Sequence, residues 1–194
     1  MRNQVGALEF LGSFVDQFPE VGLPEIAFAG RSNVGKSSAL NCLLNRKKAA
    51  RVSSTPGRTQ LINLFRVGKG CVFADLPGYG FARVPDSVQS NWKGMIENYL
   101  GGRDTLRLVV LLVDARRDPT RLDGELIAGL RAANIPFLVV ATKIDKLKRS
   151  QQAKHIAQIR KGFQLKTEQL VPFSSMTGSG KDQVWDKIEQ ACVA

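Results

Sequence analysis

The chain has 194 residues, 43% apolar and 23% charged, which suits one ordinary globular domain with a real core. No apolar run approaches the roughly 18 residues that a membrane span requires. Cys42, Cys71 and Cys192 are too few and too scattered for a disulfide framework or a zinc site, and His155 is the only histidine, so nucleophilic chemistry built on a Ser-His or Cys-His pair would rest on it alone. The formal net charge of +11 favours polyanionic partners without specifying which.

In chain order, residues 1–23 read as an N-terminal extension whose Phe10, Leu11, Phe14, Val15 and Phe18 pack on a single domain spanning 24–194. Met1 to Gly6 lead into no long apolar stretch with a small-residue cleavage site, so a soluble cytoplasmic protein is expected. Ile26–Ala29 predicts a strand, a Gly-rich loop follows, and Ser38–Leu44 predicts a helix. Leu61–Val67 and Cys71–Ala74 flank the Gly68-Lys69-Gly70 turn and predict a hairpin. Leu108–Val113 and Ile135–Ala141 are near-continuous apolar runs of the kind covered on both faces. A short run at Leu170–Phe173 precedes a closing helix with Val184, Trp185 and Ile188. The expected fold is α/β and three-layered, with a mostly parallel six-stranded sheet, one antiparallel edge strand and helices on both faces. Ligands bind beyond the carboxyl ends of such strands.

Gly30-Arg31-Ser32-Asn33-Val34-Gly35-Lys36-Ser37 fits G-x-x-x-x-G-K-[ST], a pattern expected by chance on the order of once in a hundred chains of this length. A strand running in and a helix running out turn successive backbone N–H groups toward one point, where they cradle a phosphate. Lys36 then neutralises β- and γ-phosphates and the Ser37 hydroxyl ligates Mg²⁺, with Ser38 behind it. The alternative is a Gly-rich turn that only starts a helix. Asp75-Leu76-Pro77-Gly78 follows a strand, so Asp75 is a second metal anchor, acting through water, and the Gly78 N–H meets a γ-phosphate. Alone, this tetrapeptide is more often a plain turn.

Thr142-Lys143-Ile144-Asp145 closes another strand. Asp145 can accept from the N1–H and 2-amino group of guanine, donors that adenine lacks, and a stranded buried acceptor rejects the wrong base strongly. The Lys143 stem can lie along the base. Phe173, Ser174 and Ser175 follow the last strand and can offer N–H groups to the guanine carbonyl. Thr59, in the Pro-Gly-rich segment Thr55–Gln60, is the candidate for a loop threonine that closes on Mg²⁺ and the γ-phosphate, with Gly57, Arg58, Gln60 and Leu61 beside it.

These residues resemble the guanine-nucleotide motif set of translation-factor-class GTPases. Gly-Arg-Ser-Asn-Val-Gly-Lys-Ser-Ser, Thr-Pro-Gly-Arg-Thr-Gln and Asp-Leu-Pro-Gly-Tyr-Gly together resemble the bacterial EngB (YihA/YsxC) family. The resemblance implies GTP and GDP binding with Mg²⁺, slow hydrolysis using Lys36, Thr59 and Gly78, a part in large ribosomal subunit assembly, and a requirement in cell division and septation. A monomer without membrane or DNA partners is expected. Two positions depart from the commonest GTPase pattern. Thr142 stands where Asn is usual, changing a side-chain contact between base loop and P-loop. Tyr79 stands where Ras-like GTPases carry the water-orienting glutamine. Related GTPases with Asn at the Asn33 position use it to coordinate K⁺, whereas turn geometry alone also accounts for Asn there.

Asp114, Asp118, Asp123 and Glu125 resemble an acid-base cluster but read better as a helix start with Asp118 as N-cap before Pro119. Trp92, Met95 and Tyr99 recur at helical spacing and predict a packed face. Arg46, Lys47, Lys48, Arg51 and Arg58 form one acid-free segment, and Lys143 to Lys166 holds eight basic residues against Asp145. These runs are either solvated faces or contacts to RNA phosphates by shape and backbone. Two rival readings are an ATP-using P-loop phosphotransferase and a division scaffold that uses nucleotide only to fold.

Overall fold

The computed structural model describes Arg2 and residues 7–46, 61–80 and 86–193, with backbone alone for 86–93. Gly57, Arg58, Thr59 and Gln60, together with Lys47, Lys48 and Arg51, lie outside the described residues, as does the side chain of Trp92.

The apolar runs form the centre of the sheet. Strands β2 (Glu25–Gly30), β5 (Leu106–Asp114) and β6 (Phe137–Thr142) are parallel neighbours. Their side chains alternate between two cores, as the two-residue period of a strand requires. Ala27, Ala29, Val109, Leu111, Val113, Val139 and Ala141 face one core; Ile26, Phe28, Val110, Leu112, Leu138 and Val140 face the other. On the first face lie α2 (Asp86–Gly102), α3 (Arg121–Ala132) and α4 (Arg149–Gly162), which contribute Tyr99, Ile127 and Ile159. The second is covered by α1 (Lys36–Leu43) and α5 (Lys181–Val193) through Leu40, Leu43, Val184, Trp185 and Ile188. The fully buried Trp185 stacks near Phe73, with ring centroids 5.5 Å apart, and its Nε1 donates to the Leu43 carbonyl at 3.2 Å.

The sheet has seven strands in the order β1-β3-β4-β2-β5-β6-β7. Here β3 is Ile62–Val67, β4 is Cys71–Asp75 and β7 is Leu170–Pro172. The expected hairpin is the antiparallel β3–β4 pair, and the remaining strands out to β7 are parallel. The expected count of six is corrected to seven, because Leu8–Phe14 of the N-terminal extension is strand β1, antiparallel to β3 at the sheet edge. A register shift between Phe10 and Gly12 explains why alternation did not reveal it. Leu8 packs on one core and Leu11 and Phe14 on the other, so the extra residue flips the apolar set across the sheet.

Because β4 and β5 lie on opposite sides of β2, the chain reverses its direction of travel at β2, leaving a crevice at the carboxyl ends. Gly30, Asp75, Asp114, Thr142 and Pro172 end the five parallel strands at that side. Among the described residues, no helix is long and apolar enough to cross a membrane.

Candidate functional site

The loop from Gly30 to Lys36 leaves β2 and enters α1 through two left-handed residues, Asn33 (φ 67°) and Gly35 (φ 99°). The left-handed region costs a residue with a Cβ about 1–2 kcal/mol, and Gly35 occupies it without that cost at the N-cap of α1. A Cβ added at Gly30 would stand 2.8 Å from the Leu112 carbonyl oxygen, so the loop leaves the sheet where only glycine fits. Lys36 and Ser37 are half-buried and Ser38 is exposed in the first turn of α1.

The Asp75–Gly78 segment is bonded directly to this loop. Ser32 N donates to the Tyr79 carbonyl at 2.9 Å, Tyr79 N donates to the Gly30 carbonyl at 3.3 Å, and Leu76 N donates to Phe28 at 3.0 Å. Leu76 and Pro77 are buried, and a Cβ on Gly78 would press to 3.2 Å from Ser32 Oγ. A side chain there would crowd Ser32, so the glycine eases the close approach of the two segments. Lys36 Nζ forms an ion pair with Asp75 Oδ1, and both side chains are largely buried. The Ser37 hydroxyl and the Asp75 carboxylate are hard oxygen donors on adjoining segments at the same end of the sheet, a donor chemistry that fits Mg²⁺ completed by phosphate and water oxygens.

Tyr79 turns away from this crevice. Its ring is buried in the core and its hydroxyl donates to Asp123 Oδ1 at 2.6 Å. Burial, reinforced by the Asp123 charge, pushes the phenol well above its ordinary range. The α3 N-cap is Thr120, two residues after the expected Asp118: its hydroxyl accepts from Asp123 N at 3.3 Å. Pro119 directly precedes the cap, and Asp118 stands outside the helix. Met95 and Tyr99 lie buried on α2, as their spacing predicts.

The loop after β6 meets the phosphate loop from the other side. The buried Thr142 hydroxyl lies 2.6 Å from the Val34 carbonyl oxygen and 3.0 Å from that of Val113. The tie expected to change with Thr in place of Asn is thus made by a hydroxyl to the loop backbone. Lys143 is left-handed (φ 59°); its stem passes 3.5 Å from a Cβ built on Gly35, and Nζ donates to the Asn33 carbonyl at 2.5 Å. Ile144 is buried, and Asp145 is half-buried in a short 3-10 turn, Ile144–Lys146. Phe173 exchanges backbone hydrogen bonds with this region: its N–H donates to Ala141 at 2.8 Å and its carbonyl accepts from Ile144 at 3.2 Å. The Ser174 N–H is committed to the Ser179 carbonyl and its Oγ accepts from Met176 N and Thr177 N, while Ser175 is half-buried beside it. Leu61, half-buried, precedes β3.

Asp114, read from the sequence as part of a helix start, instead meets Lys143 of the base loop. It ends β5 opposite Thr142 and is almost fully buried. Oδ1 accepts from Arg116 N at 3.1 Å and Nε at 2.9 Å; Oδ2 accepts from Arg116 Nη2 at 2.7 Å and Lys143 Nζ at 3.0 Å. Burial works to raise its pKa, but the hydrogen bonds from Arg116 and Lys143 prevail and hold the carboxyl low, at about 2. Its place at the carboxyl end of a central parallel strand is the signal that could have identified it.

Comparison with known proteins agrees with this geometry. A family model described as 50S ribosome-binding GTPase matches residues 25–143. The probable GTP-binding protein EngB of Citrifermentans bemidjiense is 53% identical over 172 residues, covering 89% of this chain and 80% of that protein. The EngB protein of Ligilactobacillus salivarius is 48% identical over 175 residues, covering 90% and 89%. Among solved structures, a probable GTP-binding protein engB superposes with a TM-score of 0.73 at 28% identity, over 87% of this chain and 98% of that one. Aquifex aeolicus Era bound to GDP and AlF4⁻ superposes with a TM-score of 0.68 at 25% identity, over 87% and 56%.

Proposed function

From the premise that this chain belongs to the EngB family of GTP-binding proteins, within the 50S ribosome-binding GTPases, we propose that it is a slow GTPase switch in large ribosomal subunit assembly. In this reading it acts as a cytoplasmic monomer and is needed for division and septation. The observation that carries its nucleotide site is the union of two loops far apart in sequence, through the Thr142 hydroxyl on the Val34 carbonyl and the Lys143 amine on the Asn33 carbonyl.

Gly30 to Ser38 form the phosphate loop; with the Ser32 and Val34 N–H groups committed to the Tyr79 and Arg31 carbonyls, the N–H groups of Asn33 and of Gly35 to Ser38 cradle the phosphates, helped by the α1 N-terminus. Lys36 exchanges its pairing with Asp75 for β- and γ-phosphate oxygens. Mg²⁺, held by Ser37, by Thr59 and through water by Asp75, would supply charge neutralisation on those oxygens. Gly57, Arg58, Gln60 and Leu61 are assigned to nucleotide binding with Thr59, and the Gly78 N–H is assigned to the γ-phosphate. Asp145 accepts from guanine, Lys143 lies along the base, and Phe173, Ser174 and Ser175 close the carbonyl side, where the commitment of the Ser174 N–H to Ser179 leaves Ser175 to donate.

Tyr79 supports the reading of slow turnover. With its hydroxyl on Asp123 and its ring in the core, it offers no side chain to a hydrolytic water. A partner or a K⁺ ion beside Asn33 then supplies the missing charge. The partner surface is the acid-free face of α4 with its flanks, where Lys146, Lys148, Arg149, Lys154, Arg160 and Lys161 are exposed. Its favoured ligand is the phosphate backbone of ribosomal RNA.

The test combines nucleotide competition with co-sedimentation. GTP should outcompete ATP by more than 10³-fold, and Asp145→Asn should move the preference toward xanthosine triphosphate, since a stranded base acceptor discriminates by roughly 10⁴-fold. Large ribosomal subunits should retain the GTP-bound chain at low salt and release it on GDP exchange or added salt. Equal GTP and ATP affinity would favour the phosphotransferase reading, and partner binding indifferent to nucleotide would favour the scaffold.

A further inference from the structure

We propose that Asp114 is the positioning residue for Lys143, with Arg116 setting the orientation of its carboxylate. The inference rests on the reading of Lys143 as a base-loop lysine. It concerns how that lysine comes to stand between two loops that carry different parts of the nucleotide.

Asp114 is not used in starting a helix. The α3 N-cap is Thr120, and the carboxylate of Asp114 is spent entirely on four donors, three from Arg116 and one from Lys143. Arg116 contacts both oxygens from one guanidinium while its own backbone N–H takes Oδ1. Such two-point contact fixes the plane of a carboxylate, and here it leaves Oδ2 facing the Lys143 ammonium. The Asp114 side chain is 4% exposed and that of Arg116 is 41% exposed. Arg116 therefore reaches in from the surface and is itself dispensable to the core.

Lys143 needs such an anchor. Its left-handed backbone sends a four-carbon stem over Gly35, and an unanchored ammonium on that stem would sample many rotamers. The Asn33 carbonyl provides one acceptor, but it belongs to the phosphate loop. Asp114 provides the second from β5, the strand between β2, which carries that loop, and β6, which carries Lys143. An amine fixed from both sides is ordered before nucleotide arrives, so binding does not bear that ordering cost.

A double-mutant cycle read by GDP titration of the full-length chain tests this. Asp114→Asn should weaken GDP binding about tenfold, in the range of a lost charged hydrogen bond, and Lys143→Met at least as much. In the Lys143→Met background, Asp114→Asn should add less than about a twofold loss, because its action runs through an amine already gone. Arg116→Gln, a surface-reaching change, should weaken binding by about threefold and likewise lose its effect in that background; it carries the test should Asp114→Asn not fold. A penalty that persists undiminished without the Lys143 amine would overturn the positioning role and leave Asp114 a structural residue. Unchanged GDP affinity in Lys143→Met alone would instead overturn the base-loop reading beneath it.

Discussion

Strand β2 has a buried charge cluster at each end, and the two are built on different terms. At its amino end, Glu25 is 1% exposed and accepts from Tyr99 Oη at 2.6 Å, Thr105 Oγ1 at 2.8 Å and the Arg103 guanidinium, which also donates to the Pro19 carbonyl at 2.9 Å. Every partner there is committed to the fold, and Arg103 fastens the segment before β2 to the loop before β5. At the carboxyl end, the Asp75 carboxylate accepts, among the described residues, from Lys36 alone. The loop that leaves β2 at this end passes through left-handed Asn33 and Gly35. At the amino end the charge is saturated by several partners; at the carboxyl end the described pairing is a single one.

The largest effect should come from the saturated end. Glu25→Ala leaves the Tyr99 hydroxyl without its carboxylate acceptor and the largely buried Arg103 guanidinium without its counter-charge, costing about 3–5 kcal/mol in urea unfolding, while GTP affinity of the folded fraction stays unchanged. Lys36→Met strands the largely buried Asp75 carboxylate and should also cost stability, but unlike Glu25→Ala it should lower GTP affinity in a titration by roughly 100-fold, about 2.7 kcal/mol in charge-assisted phosphate contacts. A large affinity loss in the first variant, or none in the second, breaks the contrast.

Acid sharpens it. The Asp114 carboxyl is lowered from 3.8 to about 2, so its ionised form is favoured by the fold: its stabilisation is complete above about pH 4 and is lost as pH falls from about 4 toward 2. The loss is on the order of 2 kcal/mol. Unfolding curves at pH 5 and pH 2.5 should therefore converge by that amount for Asp114→Asn relative to the parent chain. The smallest effect is expected for Thr142→Val, which leaves the Val34 carbonyl without its donor. It should cost about 1 kcal/mol of stability and weaken GDP binding several-fold by titration.

What could be read in the sequence followed from how local its cause is. Continuous apolar runs make β5 and β6 evident because burial on both faces needs no partner to explain it, and the G-x-x-x-x-G-K-S pattern of Gly30 to Ser37 is legible because its residues are contiguous. Strand β1 was hidden because the irregularity at Phe10 to Gly12 moves its apolar residues across the sheet, so no two-residue period survives. Asp114 was hidden for another reason. A carboxylate between a strand and a helix has an ordinary local role as a cap, and only the meeting of β5 with β6 brings Lys143 onto it. The cap itself fell to Thr120, whose hydroxyl engages both the Asp123 N–H and its carboxylate. Tyr79 could be seen to lack an amide, but its burial against α3 is a tertiary fact.

The edge strand also sets an order in time. Leu8 pairs with Val67 and Phe14 with Ile62, so β1 finds its neighbour only after about 50 further residues have been added. At about 5–20 residues per second that is a wait of roughly 3–10 s, during which Leu8, Phe10, Leu11 and Phe14 have no β3 to cover them. Both β1 and β3 are nonetheless made before β5, β6 and β7, so this edge of the sheet can pair before the strands of the opposite edge exist.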